Sequence, residues 1–223
     1  MRTKTLLLTA ALSAAGVATS MAQVFSVNAV GYVNVTLAPK FNLVANPLRA
    51  SNNTIAELFK NIEGGVPNGL QVYKFNGAAG FKTATFDDLD NAFGPADAAA
   101  QTVLPGEGVF VNNPTTGNLK LTFVGEVEQG NLVNQLPVGL SIKSSMVPQD
   151  GPLFADPSAG GLGFKGVAGD QVFQFNTATQ SYTTSTFDDL DNKFDKDITL
   201  KAGEAFFLRK ETAGTWTRQF TVQ

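Results

Sequence analysis

The heptapeptide TFDDLDN, residues 85–91, occurs again unchanged at residues 186–192. Its flanks repeat with it: residues 83–93 match residues 184–194 at nine of eleven positions, and QVYKFN from Gln71 matches QVFQFN from Gln171 at four of six. Matched segments lie 97 to 101 residues apart. A solenoid repeats every ~20 to 50 residues, so this longer period describes two copies of one folded unit. The division that follows is a leader over residues 1–22, a first β-rich repeat over 23–127 and a second over 128–223. Gly31 aligns with Gly130, Leu37 with Leu136, Glu107 with Glu204 and Phe123 with Phe220. The joint near residues 126–130 has no proline or low-complexity run, which predicts two units held in one relative pose.

Within each copy, short apolar runs alternate with Gly, Pro and Asn punctuation, the pattern of antiparallel strands. In the first copy strands are expected over residues 24–37, 41–45, 70–75, 81–86, 108–112 and 118–124, with Asn76-Gly77 marking a hairpin. The second copy predicts strands over 140–144, 171–175, 181–187, 204–209 and 215–222. Thr54-Ile55-Ala56-Glu57 has capping-box form and Ile55, Leu58, Phe59 and Ile62 follow at helical spacing, so a helix is expected over residues 54–62. The matching stretch near residues 153–161 contains Pro157 and several glycines and reads as a loop. The fold class is therefore all-β and mainly antiparallel, as two tandem β-sandwich or barrel-like domains with one short helix in the first.

Composition narrows the chemistry. Arg2 and Lys4, an apolar run over residues 5–17 and the small residues ending at Ala22 have the form of an export signal, with the mature chain starting near Gln23. Removing that leader takes away two of 16 basic residues and none of 19 acidic ones, leaving a formal charge of −5. That charge disfavours a nucleic-acid partner, whose phosphates are bound by clustered Lys and Arg. No apolar run is long enough for a membrane-spanning helix, and no cysteine is present to take a lipid. The chain has no His and no Cys, which rules out Ser-His-Asp and Cys-His nucleophiles and the usual zinc ligand sets.

FNLVANPL from Phe41, VYKFNGAAGF from Val72, LPGEGVFV from Leu104 and LTFVGEV from Leu121 resemble a β-rich module of secreted bacterial proteins. That module carries a Gly-Trp-Asn-Leu-x-x-Asn-Pro strand, a Tyr-containing hairpin and a Pro-Gly-x-Gly-Phe-x-Val strand. The whole chain is similar to a family of uncharacterised two-repeat bacterial secreted proteins whose mature part opens with SVNAVGYVNV, as here from Ser26. The resemblance implies the fold and a location outside the cytoplasm; it carries no assigned activity. Lys40-Phe41 stands where the module has Gly-Trp, and LSIKSSMV from Leu140 lacks the Asn-Pro turn.

Three groups of residues are candidates for chemistry. Asp87, Asp88, Asp90, Asn91 and Asp97 in the first copy, with Asp188, Asp189, Asp191, Asn192, Asp195 and Asp197 in the second, supply the oxygen ligands a hard cation such as Ca²⁺ takes. EF-hand spacing is absent, and the preferred reading is a turn in which Phe86, Leu89 and Phe93 anchor the loop while Asp and Asn cap local amides. Glu107 and Glu204 occupy matching places, each at a turn entering a strand, and their recurrence follows from the duplication. Trp216, Tyr32, Tyr73 and Tyr182 are the rings a sugar platform would use, but Tyr73 exchanges with Phe173 between copies, which favours core, as for most of the 18 Phe. No catalytic residue and no cofactor is expected. The sequence thus points to an exported structural or surface-associated protein whose partners are copies of itself or cell-envelope and matrix components, found extracellularly, at the cell surface or in the periplasm. A carbohydrate-binding module for an extracellular glycan is the alternative.

Overall fold

The computed structural model describes residues 29–222; the leader and the start of the first expected strand lie outside them. The first repeat comprises β1 (Val30–Leu37), β2 (Lys40–Ala45), β3 (Gln71–Phe75), β4 (Phe81–Asp87), β5 (Ala92–Gly94), β6 (Gly108–Asn113) and β7 (Leu119–Glu126). The second comprises β8 (Gly130–Leu136), β9 (Gly139–Ser144), β10 (Gly151–Pro152), β11 (Gln171–Asn176), β12 (Ser181–Asp188), β13 (Lys193–Phe194), β14 (Thr199–Leu200), β15 (Ala205–Lys210) and β16 (Gly214–Phe220). All named pairings are antiparallel. Sheet order in the first repeat is β2-β6-β3-β4-β5 and in the second β9-β15-β11-β12-β13, with β1 pairing β7 and β8 pairing β16. The two five-stranded orders correspond strand for strand, as do the two ribbons, and the second repeat adds a short β10–β14 ladder where the first has the isolated Thr54–Thr102 bridge.

Each repeat is a sandwich of a two-stranded ribbon on a five-stranded sheet. In the first, Val33, Val35, Leu37, Leu121 and Phe123 of the ribbon meet Val44, Val72, Ala84, Val109 and Val111 of the sheet in one core. Strand alternation places Phe110 on the opposite face of β6 from Val109 and Val111. That outer face is covered too: Leu43, Ala45 and Phe110 pack against Ile142, Ala205 and Phe207 of the second repeat. Burial on both faces is why β6 and β15 read as nearly continuous apolar runs.

The contact between repeats obeys a pseudo-two-fold axis. Val44 bridges Glu204 while Lys143, the counterpart of Val44, bridges Glu107, the counterpart of Glu204. Ala45 N donates to Gly203 O at 2.8 Å, and Ser144 N donates to Gly106 O at 3.1 Å. Phe75 meets Phe207 at 5.8 Å and Phe175 meets Phe110 at 5.2 Å, with the Phe110–Phe207 pair on the axis at 5.7 Å. Gly108 sits beside that pair because no larger residue fits: a Cβ there would lie 2.4 Å from the Ala205 Cβ.

Four expectations need correction. The helix is a single turn, Ile55–Leu58, and Thr54 makes no side-chain cap; Glu57 pairs with Lys60 instead, so the capping box does not form. Ile55, Leu58 and Phe59 are nevertheless buried, and packing rather than capping holds the turn. A second helical turn, Ala96–Ala99, was not expected; its buried Ala98 and Ala99 close the core beneath β4 and β5. The counterpart of Phe123 is Arg218 and not Phe220, because Leu37 lies opposite Leu119 whereas Leu136 lies opposite Gly214. The turn before β16 is shorter than the turn before β7, which shifts the last strand by two residues.

Residues 153–161 form no α-helix, only a 3-10 turn at Pro157–Ala159. The core solution changes accordingly: Phe59 meets Phe123 edge-on in the first repeat, while Phe164 meets Trp216 edge-on in the second. The lost Asn-Pro turn is replaced locally as well. Asn46 Oδ1 accepts from Leu48 N at 3.1 Å, and Ser145 Oγ accepts from Val147 N at 3.2 Å in the same place.

Candidate functional site

The acidic loops are β-turns at the tips of β4–β5 and β12–β13. Asp87 Oδ1 accepts from Leu89 N at 2.9 Å and Asp188 Oδ1 from Leu190 N at 2.8 Å, closing one turn in each copy. Asn91 and Asn192 take the left-handed conformation, with φ of 50° and 51°, which Asn tolerates better than most residues. Asp88, Asp90, Asp189 and Asp191 are exposed. Among the described residues no three His, Cys, Asp or Glu side chains come together as a metal-ligand set. Asp97 pairs with Lys82 at 2.6 Å, its hydrogen bond holding the carboxyl below the usual range. Asp195 takes Thr186 N at 2.8 Å and the Ser185 hydroxyl at 3.1 Å, which lower its pKa likewise.

The anchoring of these loops differs from expectation at one residue. Phe86 and Phe93 are buried and meet at 5.3 Å, but Leu89 is 92% exposed, as is Leu190. A leucine between two exposed aspartates at the tip of a hairpin has no core within reach. Replacing Phe86 by alanine is expected to cost about 3–5 kcal/mol, and replacing Asp88 by asparagine less than about 1. Urea unfolding of the two variants checks the order.

Glu107 and Glu204 serve the same local purpose. Glu107 Oε2 accepts from Leu104 N at 2.9 Å and Glu204 Oε2 from Lys201 N at 3.0 Å, each locking the turn before β6 or β15. Glu107 also pairs with Lys74 at 2.9 Å, and Lys143 lies beside this group with its pKa lowered by desolvation, opposed by the Glu107 charge and assisted by the Lys74 charge. The folded form therefore releases the Lys143 proton at lower pH than the unfolded chain does. Stability should rise with pH between the depressed folded value and the unfolded value near ~10.4. Loss of that slope in Lys143→Met, measured by unfolding at alkaline pH, is the check.

The aromatic residues depart furthest from the sequence expectation. Trp216 is buried and its Nε1 donates to Leu162 O at 3.0 Å, so it is no platform. Tyr32 stands alone on β1, exposed. However, Phe41, Phe81 and Tyr182 are 39%, 47% and 46% exposed, not core. They belong to one cluster of eight rings at the junction of the repeats: Phe41, Tyr73, Phe75, Phe81, Phe110, Phe175, Tyr182 and Phe207, linked at centroid distances of 5.0 to 6.4 Å.

The rings line two hollows. One, of about 410 Å³, is walled by Phe41, Tyr73, Phe81, Phe110, Phe175, Gln180 and Tyr182. The other, of about 330 Å³, is walled by Leu140, Phe173, Tyr182 and Phe207, the counterparts of Phe41, Tyr73, Phe81 and Phe110. Gln180 closes the first hollow: its side chain accepts from Phe41 N at 3.1 Å and donates to Phe41 O at 3.0 Å, clamping the second repeat's hairpin onto β2. Tyr73 OH donates to Gln71 Oε1 at 2.7 Å, and burial raises the pKa of both Tyr73 and Tyr182. Both hollows are thus uncharged and predominantly apolar. The sequence signal for them was the outward-facing aromatic on each of β2, β3 and β4, which strand alternation alone assigns to a face but not to solvent.

No family model, no curated protein and no solved structure matches the chain.

Proposed function

We propose that the chain is an exported, non-catalytic structural protein that acts by contact, through self-association or adhesion to envelope and matrix components. The observation that carries this reading is the open aromatic groove across the pseudo-two-fold axis, since contiguous exposed apolar surface marks sites of association. Two sandwiches sharing an outer core present that groove on a rigid frame. No helix of the described residues is long and apolar enough to cross a membrane. Export is supported by the leader in the sequence.

Sedimentation velocity over a wide concentration range tests the reading: a sedimentation coefficient that rises with concentration, without added ligand, is the expected result. A second reading, binding of an extracellular glycan, is favoured by Tyr182, whose ring is half exposed at the wall shared by both hollows. A chain that stays monomeric and is retarded on polysaccharide gels would establish that alternative and remove the first.

A further inference from the structure

Beside the edge strand β2, the junction of the repeats holds a cleft of about 340 Å³, within the ~300–1,000 Å³ that small-ligand sites span. One wall comes from β1 and β2, the other from β11 and the turn before β15. The equivalent place across the pseudo-two-fold axis is occupied by the protein itself. There Lys74 pairs with Glu107 at 2.9 Å, and Lys143 Nζ beside them donates to Asn134 Oδ1 at 3.4 Å. On the cleft side Gln174 stands for Lys74, Val44 for Lys143 and Val35 for Asn134. Both valines belong to the first core, and the Gln174 amide nitrogen is engaged by Thr199 O at 2.8 Å. Glu204, the counterpart of Glu107, keeps its bond from Lys201 N but makes no ion pair among the described residues. The duplicated junction is thus closed by lysines on one side and left open on the other.

The open side keeps hydrogen-bonding groups to spare. Asn34 Oδ1 accepts from the Thr122 hydroxyl at 2.8 Å, which leaves the Asn34 amide nitrogen free, and the Thr36 and Thr177 hydroxyls and Gln174 Oε1 have no partner among the described residues. Amides and hydroxyls present donors and acceptors together, as the hydroxyls of a sugar do, and the Glu204 carboxylate accepts more. Lys201 lines the cleft with Glu204, so its formal charge sums to zero and a neutral ligand suits it better than an ion. Phe175 lines both this cleft and the first aromatic hollow, and its ring meets Tyr182 at 5.2 Å. We propose that the cleft binds one end of a neutral saccharide chain whose following units pass over Phe175 toward Tyr182. This rests on the glycan reading and gives its ligand a polar anchor that the hollows lack.

The test is affinity electrophoresis of the purified exported protein through native gels containing a neutral β-glucan, a xylan or a galactomannan, each mobility taken relative to a polysaccharide-free gel. At least one of the three should retard the parent. Gln174→Lys supplies Glu204 with the ammonium that Lys74 gives Glu107 and fills the cleft as the other side is filled. It should leave the melting temperature unchanged or raised and weaken binding at least ~10-fold, the loss expected when two or more hydrogen bonds go. Thr36→Val/Thr177→Val, which preserves side-chain size and charge, should also weaken binding, and Tyr182→Ala should do so from the other end of the chain. Undiminished retardation of both cleft variants, with loss in Tyr182→Ala, overturns the cleft while leaving the glycan reading to the hollows. A parent retarded by none of the three polysaccharides overturns both.

Discussion

Replacing Asp170 by alanine is expected to lower the free energy of unfolding by about 3–5 kcal/mol, read from urea denaturation. Asp170 and Lys210 are buried, their side chains 0% and 3% exposed, and Lys210 Nζ donates to Asp170 Oδ2. The same oxygen takes Val167 N at 2.9 Å, whereas Oδ1 makes no hydrogen bond. Removing the carboxylate strands an ammonium beside the second core, and that uncompensated charge dominates the cost. The pair itself is not a large net contributor, since both ions were desolvated to form it. In the first repeat the place of Lys210 is held by Asn113, which is neutral and bonds Leu37 O at 3.0 Å and Gly117 O at 2.8 Å. The architecture therefore does not need the ions. Asp170→Leu combined with Lys210→Met should recover most of the loss, and a double variant as weak as the single one would contradict this account.

The second large effect is expected at the axis. Phe110 and Phe207 meet at 5.7 Å, and each also packs on rings of the opposite repeat. Truncating either to alanine should cost about 3–5 kcal/mol through lost burial and the cavity left behind. The two truncations empty one shared space, so their combined cost should fall short of the sum. More informative is the shape of the thermogram. The parent should unfold in a single calorimetric transition, because the shared outer core makes either sandwich expose apolar surface when the other opens. With both rings gone that coupling is weakened, and two transitions should resolve. One sharp transition in Phe110→Ala/Phe207→Ala would mean that the repeats are coupled elsewhere.

The longer strands of each sheet were legible because Gly, Pro and Asn punctuate them, whereas β8 and the two- or three-residue strands β5, β10, β13 and β14 were not expected. The TFDDLDN repeat revealed the duplication, and the duplication revealed the topology of the second copy once the first was read. The solvent exposure of the aromatic face was not legible. Phe41, Tyr73 and Phe81 alternate correctly for one face of a sheet, but whether that face meets a twin, a ligand or water is decided at a distance of a hundred residues. Leu89 was misread because a leucine beside Phe86 is most simply another anchor; the closure of the turn by Asp87 directs it outward. The helix was overestimated because Thr54 and Glu57 have capping identities, yet Glu57 is engaged by Lys60. The register of β16 was lost with two residues of the preceding turn, a deletion invisible to a comparison guided by matching Phe123 to Phe220.

The pseudo-two-fold axis bears on chain connectivity. Only Val127 to Gln129 separate β7 from β8, and the axis carries this connection onto the gap between the end of β16 and the start of β1. Val222 N already bonds Gln129 Oε1 at 2.9 Å, placing the last described residues beside the joint. A few residues would therefore suffice to link the end of β16 to β1, and a circular permutant beginning at Gly130 could keep every strand pairing. The two repeats thus adjoin at two places, one joined through residues 127–129 and the other left open between β16 and β1.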